Sequence, residues 1–336
     1  MLVIKLLPLR INNLFLYHTM KRIYTIFILA VSLFLTSCTE ECNCLSLKEK
    51  NDIAYDHENS PYTGTCNENV YGISKEIEYK DGKIDGTYIS WDEKGNKIYE
   101  DNFIEGKRNG KSIIYYNNGN KSEEKNYIKG KKDGKSLSWY DKGEKQLECT
   151  YKNNKLDGTY VEWYKNGELK KEAEYSEGLI HGKWITWYEN GQTKEKGKYI
   201  QNNKVGEWET WYKSSKKESE GEYINNMKQG KWIVWHENEN VKSSGEYVDG
   251  KKEALWTTWY EDKNTKTICK YMEGRKNGEF VSFFRDGSKE LEGQYVNGLK
   301  EGKFTVWNKN KNKMTVIYKG GVVNSDTIDE SVVPVF

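Results

Sequence analysis

Apolar and polar positions recur along this chain with a period of 24 residues from Tyr79 to Tyr318. One aromatic column runs Tyr79, Phe103, Tyr127, Tyr151, Tyr175, Tyr199, Tyr223, Tyr247, Tyr271 and Tyr295. Seven residues after each of these stands a glycine, at 86, 110, 134, 158, 182, 206, 230, 278 and 302, with Ala254 as the single exception. Five residues further on comes a second aromatic column: Trp91, Tyr115, Trp139, Trp163, Trp187, Trp211, Trp235, Trp259, Phe283 and Trp307. Neither aromatic column is interrupted by an insertion, so the chain reads as ten tandem copies of one small unit.

The unit beginning at Gly182 shows the local logic. Trp184, Ile185, Thr186 and Tyr188 favour strand, and the run is too short for a helix. Asn190-Gly191 is a strong hairpin signal, because both residues tolerate the positive φ of a type I′ turn. A second strand continues through Tyr199, and a polar turn over 202–205 leads into Gly206. A two-residue turn sets Trp184 opposite Gly197 and Gly182 opposite Tyr199, so large rings cover strand glycines. The Gly197 column is again small at Gly221, Gly245 and Gly293, and is cysteine at Cys149 and Cys269. Those two cysteines lie ten strands apart, roughly 48 Å at about 4.8 Å per strand, which makes them packing residues and not a disulfide. The Asn-Gly pair is lost at Ser214-Ser215, 237–240 and Asp262-Lys263, which leaves the geometry of those turns open.

The expected fold is all-β: an elongated, twisted open antiparallel sheet of tandem 24-residue β-hairpin repeats. Alternation places Trp184, Thr186 and Tyr188 on one face, and Ile185 with Trp187 on the other. One apolar face suffices for cohesion. The second, a stripe of Trp139, Trp163, Trp187, Trp211, Trp235, Trp259 and Trp307, is a candidate binding surface. The alternative, that these rings only pack against their neighbours beneath Lys and Glu stems, stays open.

The unit Tyr-x-x-Gly-x-x-x-Gly-x-Trp-x-x-Trp-Tyr-x-x-Gly resembles the MORN-repeat family, in the bacterial variant found in proteins called YwqK-type antitoxins. The resemblance covers 79–318. A shortened unit over 61–78, with Tyr62-Thr63-Gly64-Thr65 and Tyr71-Gly72, is expected to cap it. The family implies antiparallel hairpins in a long, twisted, curved sheet, in agreement with the residue pattern.

Ahead of the repeats, Lys21 and Arg22 follow Met20 and precede an apolar stretch over 23–35, too short to span a bilayer comfortably. Leu35-Thr36-Ser37-Cys38 then resembles the bacterial lipobox. The resemblance implies a signal peptide over 1–37 with its functional start at Met20, and acyl chains on Cys38 that hold the protein to a membrane. An uncleaved anchor with an incidental thiol is the alternative. Thr39-Glu40-Glu41 is similar to surface-export signals of lipoproteins in the Bacteroidetes, and equally to a solvated tether. The implied location is the outer membrane, facing the periplasm or the cell surface. Residues 38–60 read as a polar linker and 319–336 as a tail. One disulfide is expected among Cys42, Cys44 and Cys66, with its connectivity unreadable.

Charge and composition narrow the function. There are 53 basic and 51 acidic residues. Lys5, Arg10, Lys21 and Arg22 precede Cys38, and removing those four leaves 49 against 51. Such intermixed charge gives no one-sided basic surface, so nucleic acid is not an expected partner. Hydrophobic content of 36% with 14% aromatic residues points to a thin core of rings. Of the histidines, His18 and His57 precede the repeats; His181 stands in a column held by Asp in other units, and His236 in one usually held by Tyr. No metal spacing, triad, P-loop or dinucleotide motif accompanies them, so neither enzyme activity nor a cofactor is expected. The function anticipated is a monomeric, membrane-anchored scaffold that binds a protein partner along its sheet. Neutralising a toxin, as the family label implies, and stacking glycans on the Trp column are the alternatives.

Overall fold

The computed structural model describes residues 42–324. The leader, Cys38 and Thr39-Glu40-Glu41 lie outside the described residues, as does the tail beyond 324. Each unit contributes a nine-residue strand such as Leu179–Trp187 and an eight-residue strand such as Thr193–Ile200. From Gly64–Val70 to Val322–Val323 every strand pairs antiparallel with the strands before and after it in the chain. The result is one long open antiparallel sheet. Cys42–Asn43 adds to its first edge in parallel with Gly64–Val70, completing 24 strands.

The predicted register is present, but it arises by another route. Trp184 pairs with Gly197 and Gly182 with Tyr199. Gly191 has φ +80°, whereas Asn190 is not in the positive region. Gly191 N–H donates to the Tyr188 carbonyl at 2.9 Å, and Tyr188 N–H donates to the Gln192 carbonyl at 2.8 Å. This is a three-residue loop, a type I turn closed by one left-handed residue, and not a type I′ turn. Trp187 then pairs with Thr193 and Thr186 with Glu195, leaving Lys194 as a bulge. That extra residue restores the register a two-residue turn would have set.

The units without Asn-Gly keep the same turn. Ser215, Glu239 and Lys263 take the left-handed position at φ +66°, +68° and +72°. Their N–H groups donate to the carbonyls of Tyr212, His236 and Tyr260. Only one residue need be left-handed, at a cost of roughly 1–2 kcal/mol for a non-glycine, and the period survives it.

Type I′ turns occur at the opposite ends of the strands. Gln201 and Asn202 have φ +48° and +64°, with Ile200 and Asn203 paired across them. The polar turn expected over 202–205 is thus shorter and earlier. The recurrent glycine is not a turn residue either. At Gly182 the pairing jumps from Tyr175–Ile180 to Ala173–Trp184, so three residues face Glu174 alone and the strand bulges. Gly182 has φ +118° there, and Ala254 holds the corresponding position at φ +56°.

One face carries the core. Trp208, Trp232 and Trp256 are 2–4% exposed although the sheet is a single layer. They are wedged between tyrosines in an edge-to-face series running Trp184, Tyr199, Trp208, Tyr223, Trp232, Tyr247, Trp256, with centroids 5.0–6.1 Å apart. The ring lying on Gly197 is that of Trp208 from the next unit, which a Cβ would approach to 2.2 Å. Cys149 and Cys269 are free thiols buried in the same small-residue column. At the N-terminal end Cys44 is bonded to Cys66, and Cys42 is free. That bridge ties the start of the stretch read as a polar linker to the sheet; within it lie the short strand Cys42–Asn43, a 3-10 turn, and a two-stranded sheet of Lys48–Lys50 with Ile53–Tyr55.

A candidate binding surface along the sheet

The Trp column lies on the face opposite the core, at the ends of the first strands next to the three-residue turns. Each of the seven tryptophans is half-buried. Lysines stand over four of them: Lys145 over Trp163, Lys196 over Trp211, Lys217 over Trp235 and Lys289 over Trp307, at 5.1–5.9 Å from the ring centres. The same ammonium groups are paired with carboxylates. Lys145 meets Glu148 at 2.8 Å, and Lys217 meets Glu209 at 2.6 Å and Glu220 at 2.8 Å. Burial pushes the Glu209 carboxyl up, but hydrogen bonds from Lys196 and Lys217 hold it below the usual carboxylate range. At Glu148 hydrogen bonds from Lys135 and Lys145 act in the same downward direction. The stripe therefore exists as a column, roofed in part by Lys–Glu pairs.

Except at Trp307, the residue after each of these tryptophans ties one unit to the next. Tyr140, Tyr164, Tyr188 and Tyr212 donate their hydroxyls to the carbonyls of Trp163, Trp187, Trp211 and Trp235, at 2.7–2.9 Å. His236 takes the tyrosine's place, with Nε2 3.0 Å from the Trp259 carbonyl. The His181 column is also a linking column. Asp157 in it accepts from the Glu177 N–H at 3.1 Å, and Asn277 from the Asn297 N–H at 3.1 Å. His181 itself is exposed. Among the described residues no group of three or more His, Cys, Asp or Glu side chains could hold a metal ion. No described helix is long and apolar enough to cross a membrane.

A second column on the outer face was not singled out from the sequence. Ile200, Ile224, Val248, Met272 and Val296 are each 43–49% exposed, more than aliphatic side chains in a sheet need be. Each stands immediately before a type I′ turn, at the rim of the sheet, where no further residue of its own unit can cover it. Alternation from Lys196 through Lys198 puts Ile200 on the same face as Trp211, at the opposite end of the strands. The ridge recurs in five units over roughly 40 Å at about 4.8 Å per strand, one aliphatic on every second strand, with Asn203, Met227, Lys251 and Arg275 paired beside its members on the strands between. Its signal is the residue following the first aromatic column; Ile104 and Ile128 hold the same position earlier and are likewise exposed, but Lys152 and Ser176 separate them from Ile200.

The core face is closed by cations. Lys204, Lys228, Lys252 and Lys276 lie over Trp208, Trp232, Trp256 and Phe280 at 3.7–4.3 Å from the ring centres. Burial is the main reason that the ammonium pKa values of Lys228 and Lys252 fall below the ordinary lysine value. Neighbouring lysines lower both further, while Cys269 opposes the shift at Lys252.

Comparison with known families gives one match. The model of the MORN repeat variant family fits six consecutive units, at residues 108–129, 132–153, 156–177, 180–201, 204–225 and 228–249. No curated protein matches the chain.

Proposed function

We propose that this chain, a protein of tandem MORN-variant repeats, is a non-enzymatic scaffold that binds a protein partner along the outer face of its sheet. Lipid on Cys38 tethers it to the outer membrane in this reading, with the repeats displayed in the periplasm or at the cell surface. The observation that carries the proposal is the aliphatic ridge from Ile200 to Val296, which offers one exposed apolar side chain per repeat in constant register. Scattered apolar residues need no explanation, but a regular row of one exposed aliphatic per repeat, interleaved with Asn203, Met227, Lys251 and Arg275 and flanked by half-buried tryptophans, offers the mixed apolar and polar surface of a protein interface. Repeats of this family are consistent with that role. Neutralising a toxin is a narrower form of the same activity, with a toxin as the partner. Glycan stacking on the Trp column is less well supported, because lysines already occupy the faces of Trp163, Trp211, Trp235 and Trp307.

One envelope fractionation tests both parts. Full-length protein should sediment with membranes and retain a protease-sensitive partner. Replacing Ile224 and Met272 together with Asp should weaken retention by about tenfold or more, the scale of interface hot spots. Cys38→Ser should move the protein out of the membrane fraction. Equal retention by a folded ridge variant would sink the ridge, and a Cys38→Ser protein that stays on membranes would sink the tether.

A further inference from the structure

Charge is intermixed along the sequence but sorted by face in the sheet. On the outer face lysines meet carboxylates: Lys183 meets Glu172 at 2.8 Å, and Lys196 and Lys217 meet Glu209 at 2.5 and 2.6 Å. In the lysine row on the core face, Lys204 has such a partner in Glu195 at 3.7 Å. Beyond it, Lys228, Lys252, Lys276 and Lys300 have no carboxylate within ion-pair reach among the described residues. Glu290 does come to this face, but at the opposite ends of the strands, where it accepts from Ser282 at 3.0 Å.

The four ammonium groups rest on rings, 3.9–5.0 Å from the centres of Trp232, Trp256, Phe280 and Phe304. Lys300 also donates to the Tyr318 hydroxyl at 3.4 Å. The other three lysines are half-buried, donate to no described residue and are not among the sealed polar atoms, so their N–H groups meet solvent. Each lysine stands beside a tyrosine on the preceding strand: Lys228 pairs with Tyr223, Lys252 with Tyr247, Lys276 with Tyr271 and Lys300 with Tyr295. Burial raises the pKa of these phenols, which keeps them neutral donors. The line thus presents one cation on every second strand, at intervals of roughly 10 Å, with a phenol between successive cations. Such a row works against the fold: burial first, and then the charges of Lys252 and Lys204, lower the Lys228 pKa. An anion seated at each lysine would relieve that repulsion.

We propose that this line binds a linear anionic polysaccharide lying across the strands, with a carboxylate or sulfate at each lysine and sugar hydroxyls accepting from the tyrosines between. One such contact is weak, but four on a single chain reinforce one another through effective concentration. The surface lies on the face opposite the aliphatic ridge and is independent of the partner proposed there. A nucleic acid duplex carries a phosphate about every 3.4 Å on each strand, roughly three times too dense for this spacing. Unpaired bases would find no free ring face to stack on: Tyr247 is clamped edge-to-face between Trp232 and Trp256 at 6.1 and 5.0 Å.

The test titrates full-length protein in detergent at low salt, by calorimetry, with hyaluronate and chondroitin sulfate, whose carboxylates stand on alternate rings. Neutral dextran, oligothymidylate and phosphatidylglycerol in the same detergent are the controls. At least one of the two acidic polysaccharides should bind saturably, and a tenfold rise in salt should weaken it about tenfold or more. Lys228→Met with Lys252→Met should weaken binding about tenfold or more, since two of the four cations are lost, without lowering the thermal midpoint. Lys231→Met with Lys270→Met removes the same charge from exposed positions on the outer face and should bind as wild type does. If the first double variant does not fold, protection of Lys228, Lys252 and Lys276 from acetylation by bound polysaccharide decides the matter in the wild type. Three outcomes would overturn the site: no binding of either acidic polysaccharide to folded wild type; equal affinity in the two double variants, or no protection of the three lysines; or binding of oligothymidylate or phosphatidylglycerol in place of polysaccharide.

Discussion

At the scale of single residues, the closest constraint in the core is the ring above each strand glycine. A Cβ on Gly221 would lie 2.3 Å from two atoms of the Trp232 indole. That ring is 3% exposed and wedged between Tyr223 and Tyr247 at 5.2 and 6.1 Å, so it cannot simply slide aside. Gly221→Ala is therefore expected to destabilise the protein by about 1–3 kcal/mol, the usual cost of overpacking, seen as a lower urea midpoint. The chain holds its own control in Ala173, whose partner Trp184 is less buried than Trp232. An unchanged midpoint would mean that the ring gives way as Trp184 does. Spacing made the ring–glycine relation legible, but not which ring lies on which glycine. Pairing gives Gly197 a ring on each side, Trp184 on one neighbouring strand and Trp208 in the bulge of the other, and it is Trp208 that covers the glycine.

At the scale of the hairpin, the strands were legible because Trp, Tyr, Ile and Thr recur at fixed spacing, and the turns were not. Asn190-Gly191 fits a type I′ turn and a type I turn with a left-handed third residue equally well. The bulge at Lys194, which distinguishes them, has no composition of its own. The aliphatic ridge was missed for a different reason: exposure depends on where the turn falls, and the turn was placed too late. The lysine row is a hairpin property too, since each Lys reaches rings from its own and the following unit. Lys252 lies 4.2 Å from the Trp256 ring centre and 5.2 Å from that of Tyr271. A lysine whose pKa is lowered on folding costs stability wherever both states are charged. That cost is relieved as pH rises through its folded value towards the ordinary lysine value. Lys252→Met keeps the stem on the ring and removes the charge. It should stabilise the protein by roughly 0.5 kcal/mol at pH 7 after allowance for solvent screening, with the difference from wild type closing at alkaline pH. A loss of stability in Lys252→Met at neutral pH would show that the cation–π contact outweighs the desolvation.

At the scale of the whole molecule, every link between units reaches only the next one. Tyr212 donates to the Trp235 carbonyl, and the Asn226 N–H donates to the Lys204 carbonyl. The sheet is therefore close to a one-dimensional array in which a unit's stability comes from itself and its two neighbours. Excising residues 221–244 joins Glu220 to Gly245 and restores every column, because Gly245, Tyr247 and Trp256 succeed to the places of Gly221, Tyr223 and Trp232. Tyr212 would then meet the Trp259 carbonyl, which His236 reaches in the intact chain. Such a protein should fold, with the sheet shorter by about 10 Å in small-angle scattering, two strands' worth. Its partner should bind more weakly by the contribution of one ridge residue, since Ile224 is lost and the ridge on either side closes up. Excising 221–232 instead removes parts of two strands and the turn between them, fuses 217–220 to 233–235 and moves the rings out of register. That protein should not fold. Global unfolding of the first variant, or normal folding of the second, would show that the period is not the unit of stability in this sheet.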